Sequence, residues 1–125
     1  MEDALTITMT GRAPVKILKT DWPVIASSRG DSYGGTDGGR HQQALTRGEL
    51  DAYRLTVRQR EDGRTIVYGV LDGAPAWTGT HSRRAGELLD PGDDIAAAIQ
   101  RVGVECRLPE PVIRACIADL PAEEI

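Results

Sequence analysis

The stretch from Tyr53 to Leu71 constrains the fold most, because it reads as two β-strands turned back on each other. Asp62-Gly63 is a favoured two-residue hairpin turn, since both residues tolerate positive φ. With the turn there, Leu55 is expected opposite Val70, Val57 opposite Tyr68 and Gln59 opposite Ile66. Tyr53, Leu55, Val57, Ile66, Tyr68 and Val70 then share one apolar face. Arg54, Thr56, Arg58, Arg60 and Thr65 take the other face, together with Val67 and Leu71, and Arg64 sits at the turn. A slip of one residue mixes the two sets, so the pattern favours this register.

The flanking segments extend the reading. Leu5 to Met9 alternates apolar residues with threonine, a strand with one wet face. Ala13 to Leu18 is a second strand candidate. Asp21-Trp-Pro23 has the form of a helix start, with an extended continuation as the alternative because proline biases Trp22 away from helical angles. Ser27 to Arg40 is rich in glycine and poor in apolar residues and reads as a mobile surface loop, for which ordering on a partner suits the composition better than a nucleotide-binding fingerprint, the sequence leaving open whether 30–40 orders on binding; His41 to Glu49 suits a short helical turn. Ala76 to Gly79 reads as a short strand and His81 to Gly86 as loop. Asp93 or Asp94 caps a helix carrying Ile95, Ala98, Ile99 and Val102 at helical spacing. After Leu108-Pro-Glu-Pro111 a second helix places Val112, Ile113, Cys116, Ile117 and Leu120 on one stripe.

Strands therefore precede helices. The fold class expected is α+β: an antiparallel sheet built around the central hairpin at about 51–71, covered on one face by two C-terminal helices. At 125 residues, with 40% hydrophobic and 27% charged side chains, one folded domain over 1–125 is expected rather than a disordered chain. The net charge of −4 is mild and gives no global reason to bind nucleic acid directly, which is driven by phosphate neutralisation. No apolar run spans a bilayer. Met1-Glu-Asp3 lacks a basic signal-peptide start, so no membrane and a cytoplasmic location are expected.

The chemistry-bearing motifs are sparse. Ser32 to Arg40 lacks the Gly-Lys-Ser/Thr ending of a phosphate-binding loop. His41 and His81 have no local carboxylate or nucleophile motif and read as surface histidines. Cys106 and Cys116 lie too far apart in sequence for a zinc knuckle. Cys116 falls on an apolar stripe, where a free thiol acts as a small hydrophobe, whereas Cys106 sits near a helix end and is expected to be partly exposed. No metal, no cofactor and no catalytic residue is expected. Trp22 and Trp77 divide between core packing and an interface role. The best candidate is the arginine stripe Arg54, Arg58 and Arg60 with Arg64: a donor array for carboxylates or phosphates, or else a solvated sheet face.

Several phrases together resemble a family of small, largely uncharacterised proteins carried on bacterial plasmids, integrative elements and phages. They include Asp21-Trp-Pro-Val-Ile-Ala26, Tyr53-Arg-Leu-Thr-Val-Arg-Gln-Arg60, Asp62-Gly-Arg-Thr-Ile-Val-Tyr-Gly-Val70, Gly86-Glu-Leu-Leu89, Asp94-Ile-Ala-Ala-Ala-Ile-Gln-Arg101 and Cys116-Ile-Ala-Asp-Leu-Pro-Ala-Glu-Glu124. The resemblance spans most of the chain after Gly11 and carries no catalytic motif. It implies a non-enzymatic protein that binds a protein or ribonucleoprotein complex of a bacterial host, as anti-CRISPR inhibitors of host defence do. A small enzyme using His41 or His81, and a nucleic-acid-binding regulator using the hairpin arginines, are the competing classes.

Overall fold

The computed structural model describes residues 3–32 and 47–122. The chain is α+β, as expected. Strands β1 (Ala4–Ile7) and β2 (Val15–Leu18) pair in a two-stranded sheet. Strands β3 (Val24–Asp31), β4 (Ala52–Gln59), β5 (Thr65–Asp72) and β6 (Arg83–Leu89) form a four-stranded antiparallel meander in chain order. A single-turn helix α1 (Pro75–Thr78) links β5 to β6, and helices α2 (Ile95–Glu105) and α3 (Glu110–Ala118) close the fold.

The central hairpin forms in a different register from the one expected. Val57 pairs with Val67, Leu55 with Gly69 and Arg58 with Ile66. A two-residue turn at Asp62-Gly63 needs positive φ at both residues; only Gly63 has it, at 91°. The turn instead spans three residues, Glu61 to Gly63. The Arg60 N–H donates to the Arg64 carbonyl at 2.8 Å, and the Gly63 N–H donates to the Arg60 carbonyl at 2.9 Å. The Asp62 carboxylate favours the wider turn by accepting the Arg64 N–H at 3.1 Å. This one-residue shift leaves the faces of β4 as expected and reverses those of β5. Thr65, Val67 and Leu71 turn toward the helices with Tyr53, Leu55 and Val57. Ile66, Tyr68 and Val70 join Arg54, Thr56 and Arg58 on the outer face.

The helix face is dry. Leu55, Val57, Val67, Ala85 and Leu89 pack under Ala98, Ile99, Val102, Ile113 and Cys116. Asp94 caps α2 by accepting the Ala97 N–H at 3.1 Å. The helix ends in a Schellman turn: Leu108 N–H donates to Gly103 at 2.9 Å and Arg107 N–H to Val104 at 3.0 Å. Arg107 takes the left-handed position at φ 57°, where glycine is usual. Helix α3 lies against β3, whose Ser28 hydroxyl donates to the Val112 carbonyl at 2.6 Å. The carboxylate of Asp119 accepts the Ser27 N–H at 2.9 Å and so occupies a donor of that edge strand.

The outer face is half covered. The β1–β2 hairpin lays Ile7, Met9 and Ile17 with Trp22 on Ile66, flanked by Tyr68 and Leu88, in a second, smaller core. It is anchored on β6, where the Thr10 N–H donates to the Gly86 carbonyl at 2.9 Å. A Cβ at Gly86 would stand 2.6 Å from the Thr8 carbonyl oxygen, so only glycine admits this approach.

Other expectations change locally. After Pro23 the extended alternative forms, as strand over residues 24–31, and it runs into the segment from Ser27 expected as loop; residues 75–78 are helical rather than extended, and residues 83–86, expected as loop, belong to the edge strand 83–89. Most of the glycine loop and of the helical turn expected at 41–49 falls outside the described residues.

Candidate anion-binding cleft

The register of the sheet assembles the site. On the outer face Arg29 of β3 stands opposite Arg54 of β4, Arg54 opposite Val70 of β5, and Val70 opposite Arg84 of β6. Three arginines thus lie in one row across the sheet. The next row is Ser27, Thr56, Tyr68 and Gly86. Beyond it stands Arg58, half-buried against the second core. Its Nε donates to the Tyr68 hydroxyl at 2.9 Å and its Nη1 to the Trp22 carbonyl at 3.0 Å. Two neutral acceptors therefore hold a guanidinium that has five donors in all.

The small hairpin covers one end of this face and leaves the other open, which creates a cleft of about 700 Å³ between the two sheets. Consecutive residues Leu5 to Ile7 of β1, with Thr8 after it, form one wall, and Arg29, Arg54, Arg58 and Arg84 line the sheet side with Lys19 nearby. Five cations line the cleft and, among the described residues, no Asp or Glu does. The protein as a whole carries 19 acidic and 15 basic side chains, so this separation of charge is local and strong. Arg29 and Arg54 are exposed and make no ion pair among the described residues. Arg84 reaches Asp72 at 3.5 Å with both side chains more than half exposed, a pair of little strength. Like charges directly opposite on a sheet repel. An anion bound in the cleft would remove that cost and gain charge-assisted hydrogen bonds.

The expected site residues separate. Arg54 and Arg58 lie in the cleft. Arg60 does not: it sits over the Trp22 ring at 5.6 Å and pairs with Asp62 at 2.9 Å. Arg64 belongs to the turn, also outside the cleft. Lys19, Arg29 and Arg84 complete the site and were not singled out in the sequence. The signal for Arg29 is its alternation with Ser27 beyond Trp22-Pro23; for Arg84 it is Arg83-Arg84 next to Ala85, charges typical of an edge strand.

The other candidates take structural or surface positions. Trp22 is buried in the second core, whereas Trp77 is 67% exposed on α1. His81 is exposed before β6, and His41 lies outside the described residues. Both cysteines are buried in the main core, which corrects the expectation of a partly exposed Cys106. Burial pushes both thiols up to about 11, so they are neutral and unreactive at ordinary pH. The buried Asp51 holds α1 in place by accepting the Ala74 N–H at 2.9 Å and the Thr78 hydroxyl at 2.6 Å. Burial alone would raise its carboxyl, but hydrogen bonds from Thr78, Ala74 and Thr80 outweigh it and leave the carboxyl below its ordinary range. Among the described residues no group of His, Cys, Asp and Glu is arranged to hold a metal ion, and no helix is long and apolar enough to cross a membrane.

The chain matches no known family model, no curated protein and no solved structure.

Proposed function

We propose that this chain is a non-enzymatic binding protein whose cleft takes a carboxylate- or phosphate-bearing element of a macromolecular partner. The observation that carries the reading is the concentration of five cations, without a lining carboxylate among the described residues, in one concave site of a net-acidic protein. Arginine suits the task because its planar fork bonds carboxylate and phosphate oxygens in pairs. Arg58 is held ready by Tyr68 and Trp22, while Arg29 and Arg54 remain exposed to an incoming anion. Among the described residues no His, Cys, Asp or Glu lines the cleft, and its ionisable side chains are four arginines, Lys19 and Tyr68. The resemblance of phrases such as Tyr53-Arg-Leu-Thr-Val-Arg-Gln-Arg60 to mobile-element proteins is the motive for proposing a bacterial protein or ribonucleoprotein complex as the partner, with inhibition of host defence as the consequence.

The test is a paired capture from a bacterial host lysate with the wild-type chain and an Arg29→Ala/Arg54→Ala variant that melts at the same temperature. A partner recovered by the first and lost by the second is expected. A partner held equally by both would contradict the cleft as the binding surface.

A further inference from the structure

One wall of the cleft is a strand edge. Among the described residues strand β1 pairs with β2 alone. The Lys19 N–H donates to the Asp3 carbonyl at 2.8 Å, and Leu5 and Ile7 lie opposite Ile17 and Val15. The odd-numbered residues therefore direct their main-chain groups to β2, and the even-numbered ones direct theirs the other way. Thr10 follows the same parity, its N–H meeting Gly86 of β6. Ahead of that anchor, the N–H and C=O of Ala4 and Thr6 leave β2 behind. No other strand of the described residues takes them up. Leu5 to Thr8 line the cleft as a continuous run, as a strand edge does, and the arginine row stands beside them.

We propose that the cleft accepts an extended acidic peptide segment of the partner as a third strand on the free edge of β1, with its carboxylates on Arg29, Arg54 and Arg84. This rests on the reading of the cleft as an anion site. Strand addition supplies main-chain hydrogen bonds for affinity, and pockets or charges at alternate side chains supply selectivity. Alternate residues of an added strand point to one side, so an alternating acidic–aliphatic sequence directs its carboxylates toward the arginines. A nucleic-acid strand cannot complete a β-ladder. It would also want aromatic platforms for its bases, and among the described residues the cleft has one aromatic, Tyr68, whose hydroxyl is tied to Arg58.

Fluorescence anisotropy at low salt tests this, with a labelled alternating Glu-Val peptide as probe. The comparison probes are the same peptide N-methylated at alternate residues in either frame, oligo(dT), and tripolyphosphate. Thr6→Pro removes the outward N–H without removing a bond to β2, since proline is tolerated on a free strand edge; its melt is checked first. The peptide is expected to bind, with N-methylation in one frame and Thr6→Pro each weakening it roughly tenfold. Should Thr6→Pro fail to fold, the N-methylated peptides give the same reading from the ligand side. Equal binding of both N-methylated frames, or tighter binding of oligo(dT), would overturn the strand addition and leave an anion site standing. Binding of none of the peptide, oligo(dT) or tripolyphosphate would overturn the anion site itself.

Discussion

The two faces of the four-stranded sheet are built from the same strands and do different work. Toward the helices, Leu55, Val57 and Val67 are sealed under Ile99, Val102 and Ile113 in one continuous apolar core. Toward the small hairpin, a core of Ile7, Met9, Ile17, Trp22 and Ile66 covers only one end, and the arginine row occupies the remainder. Each residue step along β4 crosses from one regime to the other. Stability is concentrated where apolar area is removed from water, and the proposed anion binding lies where Arg29 and Arg54 stand exposed with no ion pair among the described residues. A small domain can hold both because the period of a strand separates them at no cost in chain length.

The comparison breaks first at the cores. Ile99→Ala should lose about 2–5 kcal/mol in urea denaturation, because a fully buried side chain is deleted in a close-packed core. Ile17→Ala, at the rim of the smaller core, should lose less, about 1–2 kcal/mol. Equal losses would mean that the hairpin is as integral to stability as the helices.

How far this contrast could be read from the chain differs between neighbouring strands. In β4 the apolar residues Tyr53, Leu55 and Val57 alternate with Arg54, Thr56 and Arg58, so its faces are legible. β5 runs Thr-Ile-Val-Tyr-Gly-Val-Leu, apolar on both sides because both faces are covered, and such a strand has no period to set its register. The register then depended on the turn, where Asp62-Gly63 fits a two-residue loop as well as the three-residue loop that forms. The C-terminal helices were legible from the Asp94 cap and the spacing of Ile95, Ala98, Ile99 and Val102. Strand β6 was not, because an edge strand with charges and glycine looks like a loop. Two of the five cleft cations, Arg54 and Arg58, followed from local alternation. The other three, Lys19, Arg29 and Arg84, are brought beside them by strand pairing and by the hairpin, and local alternation at Arg29 and the edge-strand charges at Arg84 do not by themselves show that these residues meet.

The buried Asp51 sharpens the contrast through pH. Its carboxyl is held below the ordinary value of 3.8 by hydrogen bonds that favour the charged form. Its contribution is therefore fully present above about pH 4 and is lost as the pH falls through the lower, folded-state value. Asp51→Ala should cost about 1.5–3 kcal/mol at neutral pH and should flatten the acid limb of a stability–pH curve. An unchanged limb would assign acid sensitivity to other carboxylates.

A smaller effect of opposite sign is expected at the helix link. Arg107→Gly should stabilise the chain by about 1 kcal/mol, since glycine takes the left-handed conformation without the steric penalty. A loss in thermal denaturation would show that the Arg107 side chain contributes more than its backbone strain costs.

On the outer face the expected effects on folding are smallest. Arg29→Ala or Arg54→Ala should change stability by less than about 0.5 kcal/mol, with any gain greatest at low salt, where repulsion between the opposed arginines is least screened. A loss well above that would assign the row to the framework of the fold.

The central claim is that this charged row binds anions while contributing little to stability. Isothermal titration of the alternating Glu-Val peptide and of tripolyphosphate, into the wild-type chain and into Arg29→Ala/Arg54→Ala, tests it most directly. The account predicts binding by the wild type that weakens as salt rises. It predicts a loss of roughly tenfold or more in the variant, with melting temperatures that coincide. Absence of binding to either anion at low salt, or equal binding by both proteins, would contradict it.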